Sequence, residues 1–282
     1  MGGGIREVWR VLWHSRVGVI GIAILLLIGL MAVFADDLSP YSPTERVGQP
    51  FQPPSARHLL GTNDVGQDIL SEIMHGARIS LAVGILAALL AVLIGTLAGV
   101  VAGYYGRAVD AVIMRVVDLV LVIPFLPLMI LLAAFLGPSF RNLIIVMAVL
   151  TWARPARVIR SQTLSLRGRD YIEAARAIGA RDRRILARHV LPGVLPLSLA
   201  QLVLAASIAI LVEASLSFLG LGDPTAKSWG TILYYAQVRG AFLSGAWVWW
   251  VIPPGLLITL TVLGFAFTGF ALEEFLDPRL RR

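Results

Sequence analysis

Six stretches of this chain are long and apolar enough to cross a bilayer, and that leaves its backbone little choice. Hydrocarbon offers no hydrogen-bond partners, so a spanning segment of about 20 residues satisfies its own backbone by folding as a helix. The stretches lie at roughly Val17 to Phe34, Ile79 to Gly103, Val112 to Leu136, Leu143 to Ile159, Val194 to Phe218 and Trp250 to Leu272. The 282 residues are 57% hydrophobic with a mean hydropathy of +0.81, outside the range of soluble domains. The expectation is an all-α, polytopic integral membrane protein with six transmembrane helices. A cleaved signal peptide is the alternative for the first run, because Arg6, Arg10 and Arg16 precede it and Val33 to Ala35 is a tolerable cleavage site. Its apolar length exceeds the ~7 to 15 residues of a signal core, which favours a retained span.

Charge sets the orientation. With both termini inside, 18 of the 24 Lys and Arg fall on the inner side, ten of them between Arg154 and Arg188. Only Arg46, Arg57, Arg78, Arg141, Lys227 and Arg239 lie outside, as the positive-inside rule requires. The net charge of +7 is thereby explained by topology rather than by nucleic acid. Cysteine is absent, which excludes disulfides, thiolate metal sites and thiol catalysis.

Between the fourth and fifth runs lies a charged stretch, Glu173 to Pro192. Ala174, Ala175 and Ala177 favour helix, Asp170 is placed to cap it, and Gly179 is free to take the left-handed conformation that ends it. A second short helix is expected from Asp182, with Ile185, Leu186, His189 and Val190 on one side, stopping at Pro192 where a backbone donor is missing. The pair makes a helix-turn-helix knob with a small-residue face and a charged rim that includes Glu173 and Arg184. A basic hairpin held by lipid headgroups is the simpler reading, but lipid attraction does not call for the Ala and Gly pattern. The stretch resembles the EAA loop of bacterial ABC import permeases: Glu173, Ala174, Ala175, Gly179 and Pro192 fall in register with that motif.

Two further blocks point the same way. The proline-rich connector Asp36 to His58 leads into Leu59-Leu60-Gly61-Thr62-Asn63-Asp64-Val65-Gly66-Gln67-Asp68, in which Asp64 or Asp68 caps an amphipathic segment expected at the membrane surface before the second span. Downstream, Glu213-Ala214-Ser215-Leu216-Ser217-Phe218-Leu219-Gly220-Leu221-Gly222 is followed by Ser228-Trp229-Gly230. Both blocks are similar to the C-type permease subunit of the dipeptide/oligopeptide (peptide/opine/nickel) class of bacterial ABC importers, although the linker Asp223 to Lys227 is shorter than that pattern and carries fewer prolines.

The resemblance implies a type I importer permease with residues 1–78 as an N-terminal helix and connector, residues 79–282 as the core, and a coupling loop over 161–192. It implies a heterodimer with a second permease subunit, two cytoplasmic ATP-binding cassette subunits that bind ATP and Mg, and an extracytoplasmic solute-binding protein. Location in the cytoplasmic (inner) membrane with both termini cytoplasmic follows, as does transport of peptides, or alternatively of nickel complexes or oligosaccharides.

This chain itself is not expected to bind a cofactor. A phosphate loop needs Gly-Lys-Ser or Gly-Lys-Thr, and the only lysine, Lys227, follows Ala226. Two carboxylates lie within apolar runs, where each needs a partner or water. Asp118 is expected to pair with Arg115 three residues earlier, and Glu213, with no basic neighbour, to line a cavity or tie spans together. Gly220-Leu221-Gly222-Asp223 matches the Gly-x-Gly-Asp of intramembrane aspartyl proteases, a remote reading because Asp223 and Asp118 fall at opposite ends of their spans. His14, His58, His75 and His189 lack metal-ligand spacing, and no internal repeat suggests a secondary transporter. Gly95, Gly99 and Gly103 form one close-packing face of the second span, and Pro124 and Pro127 interrupt the third, as a hinge or a static kink.

Overall fold

A computed structural model of the protein describes residues 15–276, so Arg6, Arg10, His14, Arg279, Arg281 and Arg282 lie outside the described residues. Helix α1 (Arg16–Val33) is capped by the Ser15 hydroxyl, which accepts from Gly18 N–H. After a single turn at Ala35–Leu38 and an irregular connector, α2 runs unbroken through Ile69–Tyr105. The remaining helices are α3 (Arg107–Val122), α4 (Phe125–Leu136), α5 (Phe140–Thr151), α6 (Ala153–Arg167), α7 (Asp170–Ala177), α8 (Asp182–Ile185), α9 (Leu191–Leu216), α10 (Trp229–Val238) and α11 (Ile252–Leu276), the last preceded by a single turn at Trp247–Trp250. Among the described residues the only β structure is two isolated bridges, Arg46 with Gln67 and Thr62 with Asp68.

Four helical stretches are each long and apolar enough to span a membrane, and two bent pairs bring the total to six. The pairs are α3 with α4, bent by 88°, and α5 with α6, bent by 42°. The sharper bend falls at Ile123 and Pro124, with Pro127 in the first turn of α4. Pro124 can neither donate to the ladder nor leave Ile123 in a helical conformation, and Ile123 is accordingly extended at ψ 134°. The amphipathic surface segment expected before the second span does not form separately. Asp68 caps α2 through Ser71 N–H and Oγ at 2.9 and 2.8 Å, and the helix continues directly into the membrane.

Helix α2 is the centre of the packing and touches α1, α3, α5, α6 and α9. Its glycine stripe explains the closest of these contacts. A Cβ at Gly95 would lie 2.7 Å from the Trp152 carbonyl oxygen, and one at Gly99 2.5 Å from that of Ala156, so α6 approaches backbone to backbone. Gly103 serves the next turn, where a Cβ would meet Thr163 Cβ at 2.7 Å. At the other edge α1 lies along α11, with Gly21 against the Gly264 carbonyl.

Replacing Gly99 with Leu is expected to push α6 away from α2 at a cost of about 1–3 kcal/mol, read as a lowered melting temperature in detergent. Gly29→Ala on α1, where nothing lies within 4 Å of the new Cβ, serves as the matched change expected to leave that temperature unchanged or raise it.

Candidate functional site

The charged stretch folds as two short helices set against the inner end of α2. Helix α7 begins at Asp170 itself, with Arg169 as the cap residue and no side-chain cap. The Asp170 carboxylate thus sits in the first turn, where the helix dipole favours it, rather than one residue before. At the other end Gly179 takes φ 79°, Ala180 N–H donates to the Ala175 carbonyl at 3.0 Å, and Gly179 N–H to that of Arg176 at 2.9 Å. This is a Schellman termination. Ile172, Ile185 and Val190 are buried together with Tyr104, Ile159 and Leu166, fixing the knob onto α2, α6 and the start of α9.

The small-residue face divides in two. Glu173, Ala174, Ala177, Gly179 and Arg184 are exposed, whereas Ala175 turns inward and packs on the knob's own core. The second short helix also does not stop at Pro192. A π turn over Leu186–Val190 lets Leu191 N–H reach the Leu186 carbonyl, and Pro192 then enters the first turn of α9, where its missing N–H is tolerated. The knob is therefore continuous with a membrane helix.

Two residues that sequence reading passed over complete this region. Tyr104, at the last turn of α2, donates its hydroxyl to Asp182 Oδ1 at 2.6 Å and carries the Arg176 guanidinium 5.3 Å above its ring, so one side chain holds both short helices. Ile178 stands 86% exposed at the tip, beside Gly179 and between arginines. An isolated isoleucine inside a charged run was the available signal for it.

Glu213 is fully buried in α9. The Ser217 hydroxyl donates to one carboxylate oxygen at 2.8 Å and the Ser80 hydroxyl to the other at 3.3 Å, while Ser80 Oγ accepts the Trp229 backbone N–H at 3.0 Å. Trp229, fully buried, donates its indole N–H to the Ile73 carbonyl at 3.0 Å. Ser228 and Thr231 form a capping box at the start of α10, and a Cβ on Gly230 would sit 2.6 Å from the Ala214 carbonyl. The sequence block from Glu213 to Gly230 is thus one polar joint among α2, α9 and α10.

Asp118 does not pair with Arg115. Arg157 on α6 donates to it at 2.6 Å, a contact across helices that outreaches the expected intrahelical one. Arg160 closes on both oxygens of Asp110 one step further along α3. Beside the break at Pro124 a cavity of about 270 Å³ opens between α3, α4, α5, α6 and α9, its lining including Ile123, Phe125, Thr151, Arg154, Gln201 and Ile208. Pro124, Pro127, Asp118 and Glu213 do not line it.

At the opposite end of α2, Lys227 pairs with Glu72 and donates to Gln67 at 2.5 Å, and Asn63 donates to Glu72 at 2.7 Å. This network ties the connector to the linker before α10. Asp223 accepts from both Thr225 N–H (2.9 Å) and the Thr225 hydroxyl (2.5 Å), and the hydroxyl holds its carboxyl below the usual range. Asp223 and Asp118 are therefore engaged with different partners, which leaves no shared proton for an aspartyl protease dyad. No cluster of three or more metal-ligating side chains occurs among the described residues.

Up to six helical spans around a charged loop that folds as a fixed helix-turn-helix knob define a polytopic integral membrane protein. The chain belongs to the family of binding-protein-dependent transport system inner membrane components, whose family model matches residues 91–282. A second model, the N-terminal TM domain of oligopeptide transport permease C, matches residues 5–54. The chain is 37% identical to the dipeptide transport system permease protein DppC of Bacillus subtilis (strain 168), with 98% of this chain and 86% of that protein covered. It is 39% identical to the DppC protein of Escherichia coli (strain K12), with coverage of 99% and 94%. A putative peptide transport system permease protein of Brucella suis biovar 1 is 39% identical, with coverage of 96% and 91%. The protein is a multi-pass permease subunit of an inner-membrane ABC importer, not itself an enzyme, and it works with a partner permease, an ATPase and a solute-binding protein.

Glu213→Leu leaves the buried Ser80 and Ser217 hydroxyls without their acceptor and is expected to cost about 1–3 kcal/mol per orphaned group, seen as a lower melting temperature and a lower yield of assembled complex. Glu213→Gln keeps an acceptor oxygen and is expected to lose less in both measurements.

Proposed function

We propose that this permease forms half of the pathway for a peptide-class solute and receives the ATPase stroke through the exposed face of the 173–192 knob. The observation that carries the coupling role is the arrangement of that knob. An exposed isoleucine stands at the tip of a small-residue helix, and the assembly is fixed by Tyr104 and a buried apolar cluster to α2 and continuous with α9. An apolar anchor ringed by charge suits a desolvated pocket on a protein partner.

In this reading the chain pairs with a different permease subunit, and two ATPase subunits bind ATP and Mg beneath the pair. Closure of the ATPases carries the docked knobs and rotates the spans to open the pathway outward, where the binding protein releases its solute. The termini lie in the cytoplasm, as the arginine distribution supports. Residues 1–78 act as an addition to a core at 79–282, in keeping with the two separate family matches. Pro124 and Pro127 mark the position at which the third span flexes, and the glycine stripe keeps α2 and α6 moving together. The dipeptide and peptide names of the relatives favour peptides over nickel complexes or oligosaccharides.

Reconstitution of the chain with its partner permease, ATPase and binding protein tests this directly. Ile178→Asp and Ala174→Arg alter only exposed knob residues and are expected to reduce ATPase co-purification and dipeptide uptake at least about tenfold, as for loss of an interface anchor. Gly179→Val penalises the left-handed turn and is expected to do the same. All three should insert and pair with the partner permease normally, and wild-type uptake in all three would remove the knob from the coupling role.

A further inference from the structure

Helix α6 carries three arginines a turn apart, Arg154, Arg157 and Arg160. Two close on α3, Arg160 onto Asp110 and Arg157 onto Asp118. Further along α3, Leu121 lines the same cavity as Arg154 and supplies no carboxylate. Among the described residues Arg154 has no carboxylate within salt-bridge distance, and it lines the cavity at the break of the third span. Arg154 is exposed in the first turn of α6, toward the inner end of its span, where its guanidinium fork is open to an anionic group. The opposite wall supplies Gln201, whose amide nitrogen donates to Glu273 at 3.2 Å and whose carbonyl oxygen is left to accept. At about 270 Å³ the cavity is smaller than typical ligand pockets of ~300–1,000 Å³, so it takes the end of a solute rather than its length.

We propose that Arg154 and Gln201 form a passing station for the C-terminal carboxylate of the transported peptide. The guanidinium fork donates two hydrogen bonds to the carboxylate, and the Gln201 oxygen accepts an N–H from the adjoining backbone. With one cation, one neutral group and the Glu273 carboxylate 3.2 Å behind Gln201, the site holds an anion weakly enough to release it, as conduction requires. The inference rests on the peptide reading above.

The test uses the whole complex in proteoliposomes and two probes, Ala-Phe with a free carboxylate and the same dipeptide amidated, each at a concentration that saturates the binding protein. Arg154→Gln is expected to reduce uptake of the free acid at least about tenfold, as for a lost charge-assisted hydrogen bond. Uptake of the amide and binding-protein-stimulated ATP hydrolysis should change less than about twofold, and Arg154→Lys should restore part of the free-acid uptake. Equal loss of both solutes, or loss of neither, overturns the proposal. Should Arg154→Gln fail to assemble, Ala205→Phe fills the same cavity from α9 and is expected to block both solutes; unchanged uptake there overturns it equally. A wild-type complex that imports neither dipeptide overturns the peptide reading and this inference together, whereas wild-type import unaffected by the substitutions overturns the inference alone.

Discussion

The architecture turns on a buried carboxylate that, among the described residues, is held by hydroxyls and not by a cation. Glu213 lies in the interior of a membrane protein, where a bare charge is disfavoured, and its oxygens are satisfied by Ser217 on its own chain segment and by Ser80 from α2. Because Ser80 simultaneously accepts from the Trp229 backbone, the carboxylate fixes where α10 begins as well as how α2 meets α9. The capping box at Ser228, the buried Trp229 indole and the close approach at Gly230 gather at the same joint. Removing an acceptor from such a chain unsettles three helices at once, since each hydroxyl depends on the next.

Around this joint the two ends of the molecule are built from different forces. On the connector side the polar network of Asn63, Gln67, Glu72 and Lys227 joins segments far apart in sequence by hydrogen bonds and one ion pair. On the knob side apolar burial of Ile172, Ile185 and Val190 dominates, with Tyr104 as a polar clasp. The surface left outward on the knob is small, charged and tipped by Ile178. That division explains why a soluble-looking segment keeps a fixed shape between membrane helices.

What the sequence reveals is mostly what is local. Apolar run lengths locate the spans, a glycine after three alanines locates the end of α7, and Asp68 before an apolar run locates the start of α2. What stays hidden depends on partners distant in the chain. Asp118 looks paired with Arg115 until the fold brings Arg157 across from α6, and Ala175 looks like part of an outer face until helix phase turns it inward. Pro192 reads as a stop because proline lacks a donor, yet a π turn shifts the hydrogen-bond register and lets the helix pass through. The Pro124 break is legible as an interruption, but its 88° angle is not.

Helix α2 has a mechanical consequence of its own. Its 37 residues without a break make a rod of roughly 55 Å at 1.5 Å per residue, clamped near one end by Glu72 and Lys227 and near the other by Tyr104 and Asp182. Held at each end and met by α6 directly on its backbone along the glycine stripe, the rod moves with its attachments as one piece. A tilt of one degree about one end displaces the other by about 1 Å over that length, so a small angular change at the knob is magnified at the connector on the far side of the bundle.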